Sequence, residues 1–277
     1  MAGRFFLFGL GFSGRVIAQR LLELGWQVAG TTRSGEGGLA GVEMHRFDRD
    51  NPLPEGALAG VTHVLSSVPP DEAGDPVLDV MGGQLRGLRL EWAGYLSTTG
   101  VYGDCGGEWV DEDSPIRPTL ERSRRRAEAE RQWLGSDLPA HLFRLAGIYG
   151  PGRSAIDSVR SGTAKRIDKP GQVFSRIHVD DIAATVLASM ARPHPGAAYN
   201  VCDDDAAPPQ DVITEACRLL GVEPPPLLTW EQARANLSPM ALSFYADNKR
   251  VSNRRIKEEL GVRLRYPTYR EGLAALL

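Results

Sequence analysis

The first thirty-three residues contain two apolar, strand-like segments with one amphipathic, helix-like segment between them. An apolar run at residues 5–8 leads into a glycine-rich turn at 9–14, and an amphipathic stretch follows to about Leu24. Residues 27–33 then form a second apolar run that ends in polar side chains. Apolar runs of this length predict strands, and the stretch between them predicts a helix. The N-terminus is therefore predicted to be a βαβ unit.

The same alternation continues along the next hundred residues. The predicted strands are 42–47, 61–68, 92–97 and 141–145, and the predicted helices are 77–89 and 119–134. Strands that alternate with helices indicate an α/β fold, here a Rossmann-type doubly wound parallel sheet. Ligands of such sheets bind beyond the carboxyl ends of the strands. The residues at or just past these ends, which we expect to line one crevice, are Gly9, Arg33, Asp48, Ser67, Thr98 and Gly147.

The turn after the first strand reads Gly-Leu-Gly-Phe-Ser-Gly, which is a GxGxxG pattern. This pattern is typical of dinucleotide binding when it leaves a strand and opens a helix. Gly9 permits the tight turn, Gly11 lets the backbone approach a pyrophosphate, and Gly14 lets the helix pack close to the strand. The amides around Phe12 and Ser13 then face the phosphates at the helix N-terminus. The alternative is a glycine-rich turn of an ordinary α/β protein.

The end of the second strand distinguishes NAD from NADP. An NAD site has an Asp or Glu about twenty residues after the glycine turn, whereas this chain has no carboxylate there before Glu36. Arg33 can pair with a 2′-phosphate, and the hydroxyls of Thr32 and Ser34 add donors. We predict NADP(H) as the preferred cofactor and NAD(H) as the alternative, unless Arg33 is only an exposed loop residue. Further cofactor contacts are expected at Asp48, Ser67, Val68 and Pro69.

The last third of the chain has a different character. Proline-rich breaks at 193–195, 208–209 and 224–226 divide short helical segments. We predict that these segments form a small, discontinuous C-terminal cap domain on the substrate side. The predicted bounds are 1–150 and about 176–203 for the NAD(P)-binding domain, and about 151–175 and 204–277 for the cap.

Composition excludes several classes of function. The net charge of −3 and a pI near 6.0 argue against a nucleic-acid-binding protein. No apolar run approaches the roughly 20 residues that span a membrane, and the histidines lack metal-ligand spacing. The three cysteines are Cys105, Cys202 and Cys217, and their wide spacing indicates a reducing compartment without disulfides. We expect a cytoplasmic protein with a small-molecule substrate, without a metal site and without a nucleic-acid or membrane partner.

Three sequence blocks follow the glycine turn in order. Residues 97–103 read Ser-Thr-Thr-Gly-Val-Tyr-Gly, residues 147–152 read Gly-Ile-Tyr-Gly-Pro-Gly, and residues 178–181 read His-Val-Asp-Asp. With these blocks the chain resembles an extended short-chain dehydrogenase/reductase of the NAD-dependent epimerase/dehydratase superfamily along nearly its whole length. Residues 67–70, Ser-Val-Pro-Pro, and the C-terminal segment resemble an atypical subgroup. The resemblance implies that Thr98 hydrogen-bonds the reacting oxygen; the alternative is a strand-end threonine that caps a turn.

The same resemblance shows what the chain lacks. The superfamily's catalytic Tyr and Lys, spaced as YxxxK, fall on Arg122 and Arg126. Arginine stays protonated, so Arg122 cannot move a proton as a tyrosine does. The candidate catalytic residues are Thr98, Tyr102, Arg122 and Arg126, where the two arginines would present positive charge to the cofactor or to an anionic substrate. Tyr102 and Tyr149 are substitute proton donors, although packing is the simpler interpretation of both. A solvated helix face with i,i+4 ion pairs is the alternative for the arginines.

Two further groups of residues keep alternative interpretations. His178 lies where the resembling block runs from a strand into a helix, so we interpret it as a structural hydrogen-bonding residue. Basic residues in the predicted cap either grip a phosphate-bearing substrate, as the resemblance implies, or are scattered surface charge. These basic residues are Arg153, Lys165, Arg166, Lys169 and Arg176.

Two hypotheses about function follow. The first is an NADP(H)-dependent oxidoreductase or epimerase-like enzyme that acts on a polar, nucleotide-linked substrate. The second is a catalytically silent NADP(H)-binding redox sensor or scaffold, which the missing YxxxK pair favours. The strongly charged segment 122–131 suits apolar dimer packing poorly, so we expect a monomer or a weak homodimer.

Overall fold

A computed structural model describes residues 3–277 of the chain. The described residues form two compact units. The first unit contains residues 3–98, Glu121–Arg144 and Ile182–Tyr199. The second unit contains Thr99–Leu120, Leu145–Asp181 and Asn200–Leu277.

Strands and helices alternate through most of the described chain. The strands are β1 (Arg4–Phe8), β2 (Gln27–Thr32), β3 (Val42–Arg46), β4 (Val61–Ser66), β5 (Trp92–Thr98), β6 (Trp109–Val110), β7 (Ala140–Leu145), β8 (Gly147–Tyr149), β9 (Arg166–Asp168), β10 (Arg176–His178), β11 (Ala198–Val201), β12 (Leu227–Thr229) and β13 (Arg250–Val251). The helices are α1 (Phe12–Glu23), α2 (Pro76–Gly87), α3 (Glu121–Leu134), α4 (Ala155–Arg160), α5 (Val179–Ala191), α6 (Pro209–Leu220), α7 (Trp230–Arg234), α8 (Pro239–Phe244), α9 (Arg254–Glu258) and α10 (Tyr269–Ala274).

Seven of the described strands form one parallel sheet in the order β11-β7-β5-β4-β1-β2-β3. β1 lies between β2 and β4, with Phe6 paired to Ala29 on one side and to Val64 on the other. The chain builds the sheet outward from β1 in one direction and then returns to build it in the other. This order is that of a doubly wound sheet, and it places the switch point beside β1 and β4. The predicted Rossmann-type fold class is confirmed.

The core of the first unit explains the apolar pattern of the sequence. Phe5 and Phe6 point to opposite faces of β1 and are both fully buried, as expected for a strand covered on both faces. Ile17 and Leu21 are buried on one side of α1. The charged helix α3 is anchored by Trp133, whose ring stacks on Tyr95 with 5.6 Å between centroids. Each large apolar side chain buried in this way contributes roughly 1.5–3 kcal/mol.

The second unit has a core of its own. Tyr149, Ile156 and Ala216 pack with Tyr269 and Leu273 in one apolar cluster. Three parallel strand pairs, β8 with β10, β9 with β12 and β6 with β13, tie distant parts of this unit together.

The units divide the chain differently from the predicted domains. Thr99–Leu120 belongs to the second unit, although it falls within the predicted NAD(P)-binding domain. The second unit is also larger than the small cap that was predicted. The reason is pairing between segments far apart in sequence, because β6 pairs with β13 and β8 pairs with β10. Such long-range pairing leaves no local signal in composition.

Candidate cofactor site and the residues around it

The glycine turn after β1 has the geometry that a tight turn requires. Gly9 has a φ of +90°, a region that side-chain-bearing residues rarely adopt. Its amide donates to Thr31 Oγ1 (2.9 Å), and its carbonyl accepts from Ser67 Oγ (2.6 Å). A Cβ on Gly9 would lie 2.6 Å from the same Ser67 oxygen. The turn is therefore fixed from both neighbouring strands, and a side chain has no room there.

The start of α1 fits the phosphates of a dinucleotide. Gly11 is the N-cap, and no side chain caps the helix. A Cβ on Gly11 would meet no atom within 4 Å, so the space beside this residue is open. Gly14 differs, because its Cβ would lie 2.8 Å from the Gly9 carbonyl oxygen and 2.9 Å from Leu7 Cδ2. Close packing at Gly14 thus aims an uncapped, electropositive helix end, with the Phe12 and Ser13 amides, at the open space.

The segment after β2 contains the predicted 2′-phosphate residues. Arg33 is exposed and has no hydrogen-bond or ion-pair partner among residues 3–277. The Thr32 hydroxyl donates to the Glu36 carbonyl (2.9 Å), so its proton is already used. Ser34 Oγ accepts from the Glu36 amide (3.2 Å), which leaves the Ser34 proton for another acceptor. Arg33 and Ser34 therefore suit an added phosphate better than Thr32 does.

The remaining predicted cofactor residues follow β3 and β4. Asp48 Oδ1 accepts from Asn51 Nδ2 (2.7 Å) and from the Asp50 amide (2.9 Å). The hydrogen bond from Asn51 lowers the pKa of the Asp48 carboxyl. The Asp48 side chain thus closes the turn formed by residues 48–51. Ser67 holds the Gly9 carbonyl, and Val68 Cγ2 lies 3.4 Å from the Cβ position of Gly9. Pro69, the next residue, is exposed.

A buried ion pair lies beneath the end of β5 and was missed in the sequence. β5 ends at Thr98, and the preceding Ser97 donates from Oγ to Glu130 Oε1 (2.5 Å). Arg144 Nη2 donates to Glu130 Oε2 (2.9 Å), and both side chains are buried. The charged sequence around Glu130 resembles a solvated helix face, and its buried partner Arg144 lies fourteen residues away. The network fixes the strand end that carries Thr98.

The two arginines at the YxxxK positions have different surroundings. Arg122 is exposed. Arg126 is half-buried, and its Nη1 donates to the Leu96 carbonyl (2.7 Å) and to the Tyr95 hydroxyl (3.1 Å). Burial raises the pKa of Tyr95, so this phenol does not ionise in the neutral range. Arg125 Nε donates to Glu121 (3.3 Å), which is an i,i+4 pair of the kind that the solvated-face alternative predicts.

Tyr102, in the second unit, is buried. Its side chain is only 1% exposed, and its hydroxyl donates to Asn200 Oδ1 (2.7 Å). A proton donor has to reach its substrate, and this hydroxyl is instead used in an internal hydrogen bond. The surroundings of Tyr102 therefore argue against the predicted catalytic role and for the packing interpretation.

Several known proteins are similar to this chain along nearly its whole length. The Escherichia coli K12 protein YeeZ is 28% identical over 278 residues, which cover 94% of both chains. A solved structure of a conserved protein of unknown function from Silicibacter pomeroyi is 52% identical. It has a TM-score of 0.91 and covers 99% of this chain and 98% of that chain. No family model matches the chain.

The third is a solved structure of a candidate NAD-dependent epimerase/dehydratase from Methylobacillus flagellatus. It is 26% identical, with a TM-score of 0.78, and covers 100% of this chain and 98% of that chain. By fold, this chain belongs to the NAD-dependent epimerase/dehydratase superfamily. The resemblance found in the sequence blocks is thus confirmed, while the atypical subgroup stays a prediction. The chain also belongs to one family with the Silicibacter protein.

The resemblance places the superfamily's catalytic tyrosine and lysine at Arg122 and Arg126. No tyrosine or lysine occurs in α3, and Arg126 at the lysine position is held by the strand backbone through Leu96. A guanidinium supplies donors and positive charge but no proton at neutral pH. The predicted tyrosine and lysine positions therefore carry guanidinium groups, and a catalytic role of Thr98 stays a prediction.

The other two residues of interest in the second unit are also enclosed. Tyr149 is buried, its hydroxyl has no hydrogen-bond partner in the described structure, and burial raises its pKa. A Cβ on Gly272 would lie 1.9 Å from that hydroxyl, so a glycine is required there. His178 accepts from the Asp180 amide at Nδ1 (3.2 Å), and burial lowers its pKa. These contacts support the structural interpretation of His178.

Several basic residues of the second unit bind backbone carbonyls. Arg176 Nη1 donates to Phe174 (2.8 Å) and Ala207 (3.1 Å), and Lys169 Nζ donates to Tyr245 (2.5 Å). The described residues contain no cluster of three or more His, Cys, Asp or Glu side chains suited to a metal ion. Among residues 3–277, no helix has both the length and the apolar composition of a membrane span.

Proposed function

We propose that this protein binds NADP(H) through its first unit and is an oxidoreductase or epimerase-like enzyme. The observation that carries the proposal is the arrangement at α1, where Gly14 packs closely while the space beside Gly11 stays open. The similar Methylobacillus protein is named as NAD-dependent, which supports a dinucleotide. The substrate class we propose is a polar, nucleotide-linked small molecule.

The residues that would hold the cofactor divide into two groups. The amides at the start of α1 would bind the pyrophosphate, assisted by the turn at Gly9 and Ser67. Arg33 and Ser34 would bind the 2′-phosphate, because both have donors without an acceptor in the described structure. A bound NADP(H) supplies hydride chemistry. Thr98 would hydrogen-bond the reacting oxygen, with water as the proton source.

A second candidate is a catalytically silent NADP(H)-binding protein. The observation that favours it is Arg126, whose guanidinium is already bound to Leu96 and Tyr95 where the superfamily has its lysine. With no proton-transfer residue at the tyrosine position, cofactor binding survives without turnover. We favour the enzyme because Thr98 is retained at the end of a strand that a buried network holds in place.

The first test is a fluorescence titration of the purified protein with NADPH and, separately, with NADH. We expect binding in the micromolar range or tighter and a clear preference for NADPH. Arg33→Ala should weaken NADPH far more than NADH, because only NADPH has the 2′-phosphate. Arg192→Ala is the matched control, since Arg192 is an exposed arginine of the same unit that follows α5.

The outcomes separate the two candidates. No binding of either cofactor contradicts both of them. Binding with equal losses of NADPH and NADH in Arg33→Ala contradicts the NADP(H) assignment and leaves a dinucleotide site. If NADPH binds, its absorbance at 340 nm is followed with carbonyl compounds and nucleotide sugars. Turnover establishes the enzyme, and binding without oxidation of NADPH across the panel favours the silent protein.

A further inference from the structure

The loop between β2 and β3 is held against α1 by an arginine that the cofactor site described above does not use. Arg15, which directly follows Gly14, donates to the Gly37 carbonyl and to the Gly38 carbonyl (3.3 Å). Gly37 has a φ of +71°, and Gly35 has a φ of +78°. Both values favour glycine. The glycines thus give the loop its shape, and Arg15 fixes the shaped loop to the helix.

A second arginine lies beside this loop. Arg46 ends β3, and the parallel register pairs it with Thr32, the residue before Arg33. A Cβ on Gly35 would lie 3.4 Å from the Arg46 backbone nitrogen, so the loop packs directly on Arg46. The register and the loop together bring the backbones of residues 33 and 46 to the same edge of the sheet.

The charge on Arg46 is only weakly balanced. Its side chain is 58% exposed, and its ion pair is with Asp48 Oδ2 at 3.7 Å. The Asp48 carboxylate is already engaged through Oδ1 by Asn51 and Asp50. Arg33 has no partner in the described structure. Two arginines at one sheet edge, one without a partner and one paired only at 3.7 Å, suit an anionic ligand.

We propose that the loop held by Arg15 presents Arg33 and Arg46 together to the 2′-phosphate of NADP(H). This inference rests on the proposed function. Arg15 is then a positioning residue, which acts through the Gly37 and Gly38 carbonyls, and Arg46 is a second phosphate-binding residue. Bidentate guanidinium groups on two sides of a phosphate satisfy more of its oxygens than one arginine can.

Glu36, which lies in the same loop, provides a further test of the proposal. Its backbone is fixed by Thr32 and Ser34, and its exposed carboxylate has no ion pair in the described structure. Beside a 2′-phosphate this charge is repulsive, so Glu36→Gln should tighten NADPH two- to fivefold and leave NADH unchanged. If Glu36 instead accepts from a ribose hydroxyl of NAD, the same variant weakens NADH.

The test measures dissociation constants of NADPH and NADH for wild type, Arg15→Gln, Arg46→Gln and the control Arg192→Gln. We expect the preference for NADPH to fall about tenfold in Arg46→Gln, which is about 1.4 kcal/mol. We expect a fall of about fivefold in Arg15→Gln, with NADH binding within twofold of wild type in both. Adenosine 2′,5′-bisphosphate, compared with AMP, should lose affinity in parallel, because only the former has the 2′-phosphate.

A purely structural role of Arg15 would not change the ratio of the two constants. If Arg15→Gln and Arg46→Gln leave the ratio of the NADPH and NADH dissociation constants unchanged, or weaken both cofactors equally, the inference is overturned. In that case NADPH binding by wild type still leaves the proposed function intact. Weakened NADH in Glu36→Gln also overturns it. Failure of wild type to bind NADPH is the separate result that removes the proposed function. Melting temperatures measured without cofactor identify any variant whose fold is lost. If Arg15→Gln is such a variant, Arg15→Lys takes its place.

Discussion

Replacing Gly11 or Gly14 of the glycine turn with alanine should have different effects, the first mainly on NADPH affinity and the second mainly on stability. In Gly11→Ala the new methyl group meets no protein atom within 4 Å, and φ of −85° suits alanine. Alanine is a poorer N-cap than glycine, so the free energy of unfolding should fall by no more than about 1 kcal/mol. In Gly14→Ala the methyl group would lie 2.8 Å from the Gly9 carbonyl oxygen. That overlap costs about 1–3 kcal/mol.

Alanine at position 14 offsets part of the overlap cost, because glycine is about 1 kcal/mol less favourable than alanine in a helix. The net expectation for Gly14→Ala is therefore a loss of about 0–2 kcal/mol. Gly11→Ala should instead lose NADPH affinity by tenfold or more, because its methyl group occupies the space assigned to the pyrophosphate. Urea unfolding without cofactor and fluorescence titration with NADPH measure the two effects separately. Wild-type NADPH affinity in Gly11→Ala would refute the assignment of that space.

Three further predictions concern buried polar groups. Tyr102→Phe should lose about 1–2 kcal/mol in urea unfolding, because Asn200 loses its donor; a change in NADPH affinity would contradict the packing role. Glu130→Gln should lose about 3–5 kcal/mol, because the buried guanidinium of Arg144 loses the carboxylate of Glu130; Glu128→Gln is the exposed control. Burial raises the pKa of Asp203, which is 3% exposed, to about 8, against about 3.9 in the unfolded chain. The folded state therefore keeps a proton that the unfolded state loses, and this group should reduce stability by up to about 1.4 kcal/mol per pH unit between about pH 4 and 8. Asp203→Asn should remove that part of the slope, and identical pH dependence in both proteins would speak against the shift.

Much of the sheet was predictable because its signals are local. The run of apolar residues at Phe5 and Phe6 predicts a doubly covered strand, and the glycine pattern predicts the turn that follows. The structure confirms the doubly wound order, which follows from strands that alternate with helices. Arg33 and Thr98 could be placed at strand ends for the same reason.

The contacts that define the site chemically were not predictable in this way. The ion pair of Glu130 with Arg144 joins a helix to a later strand, so the sequence around Glu130 reads as a solvated face. Arg46 reaches the edge near Arg33 only through the register of β2 and β3, which no local pattern encodes. The hydrogen bond of Tyr102 likewise joins it to Asn200, nearly a hundred residues later.

If the cofactor binds as proposed, the choice between an enzyme and a silent protein depends on the source of the proton. Tyr95 is buried and bound to Arg126, Tyr102 donates to Asn200, and Tyr149 is buried with a raised pKa. None of these phenols is suited to exchange a proton with a ligand at neutral pH. A reaction at Thr98 would therefore take its proton from water, with the threonine hydroxyl only orienting the reacting oxygen. Such a site favours substrates whose oxygen needs little acid assistance. That requirement restricts the chemistry more strongly than the fold does, because the fold serves all members of the superfamily alike.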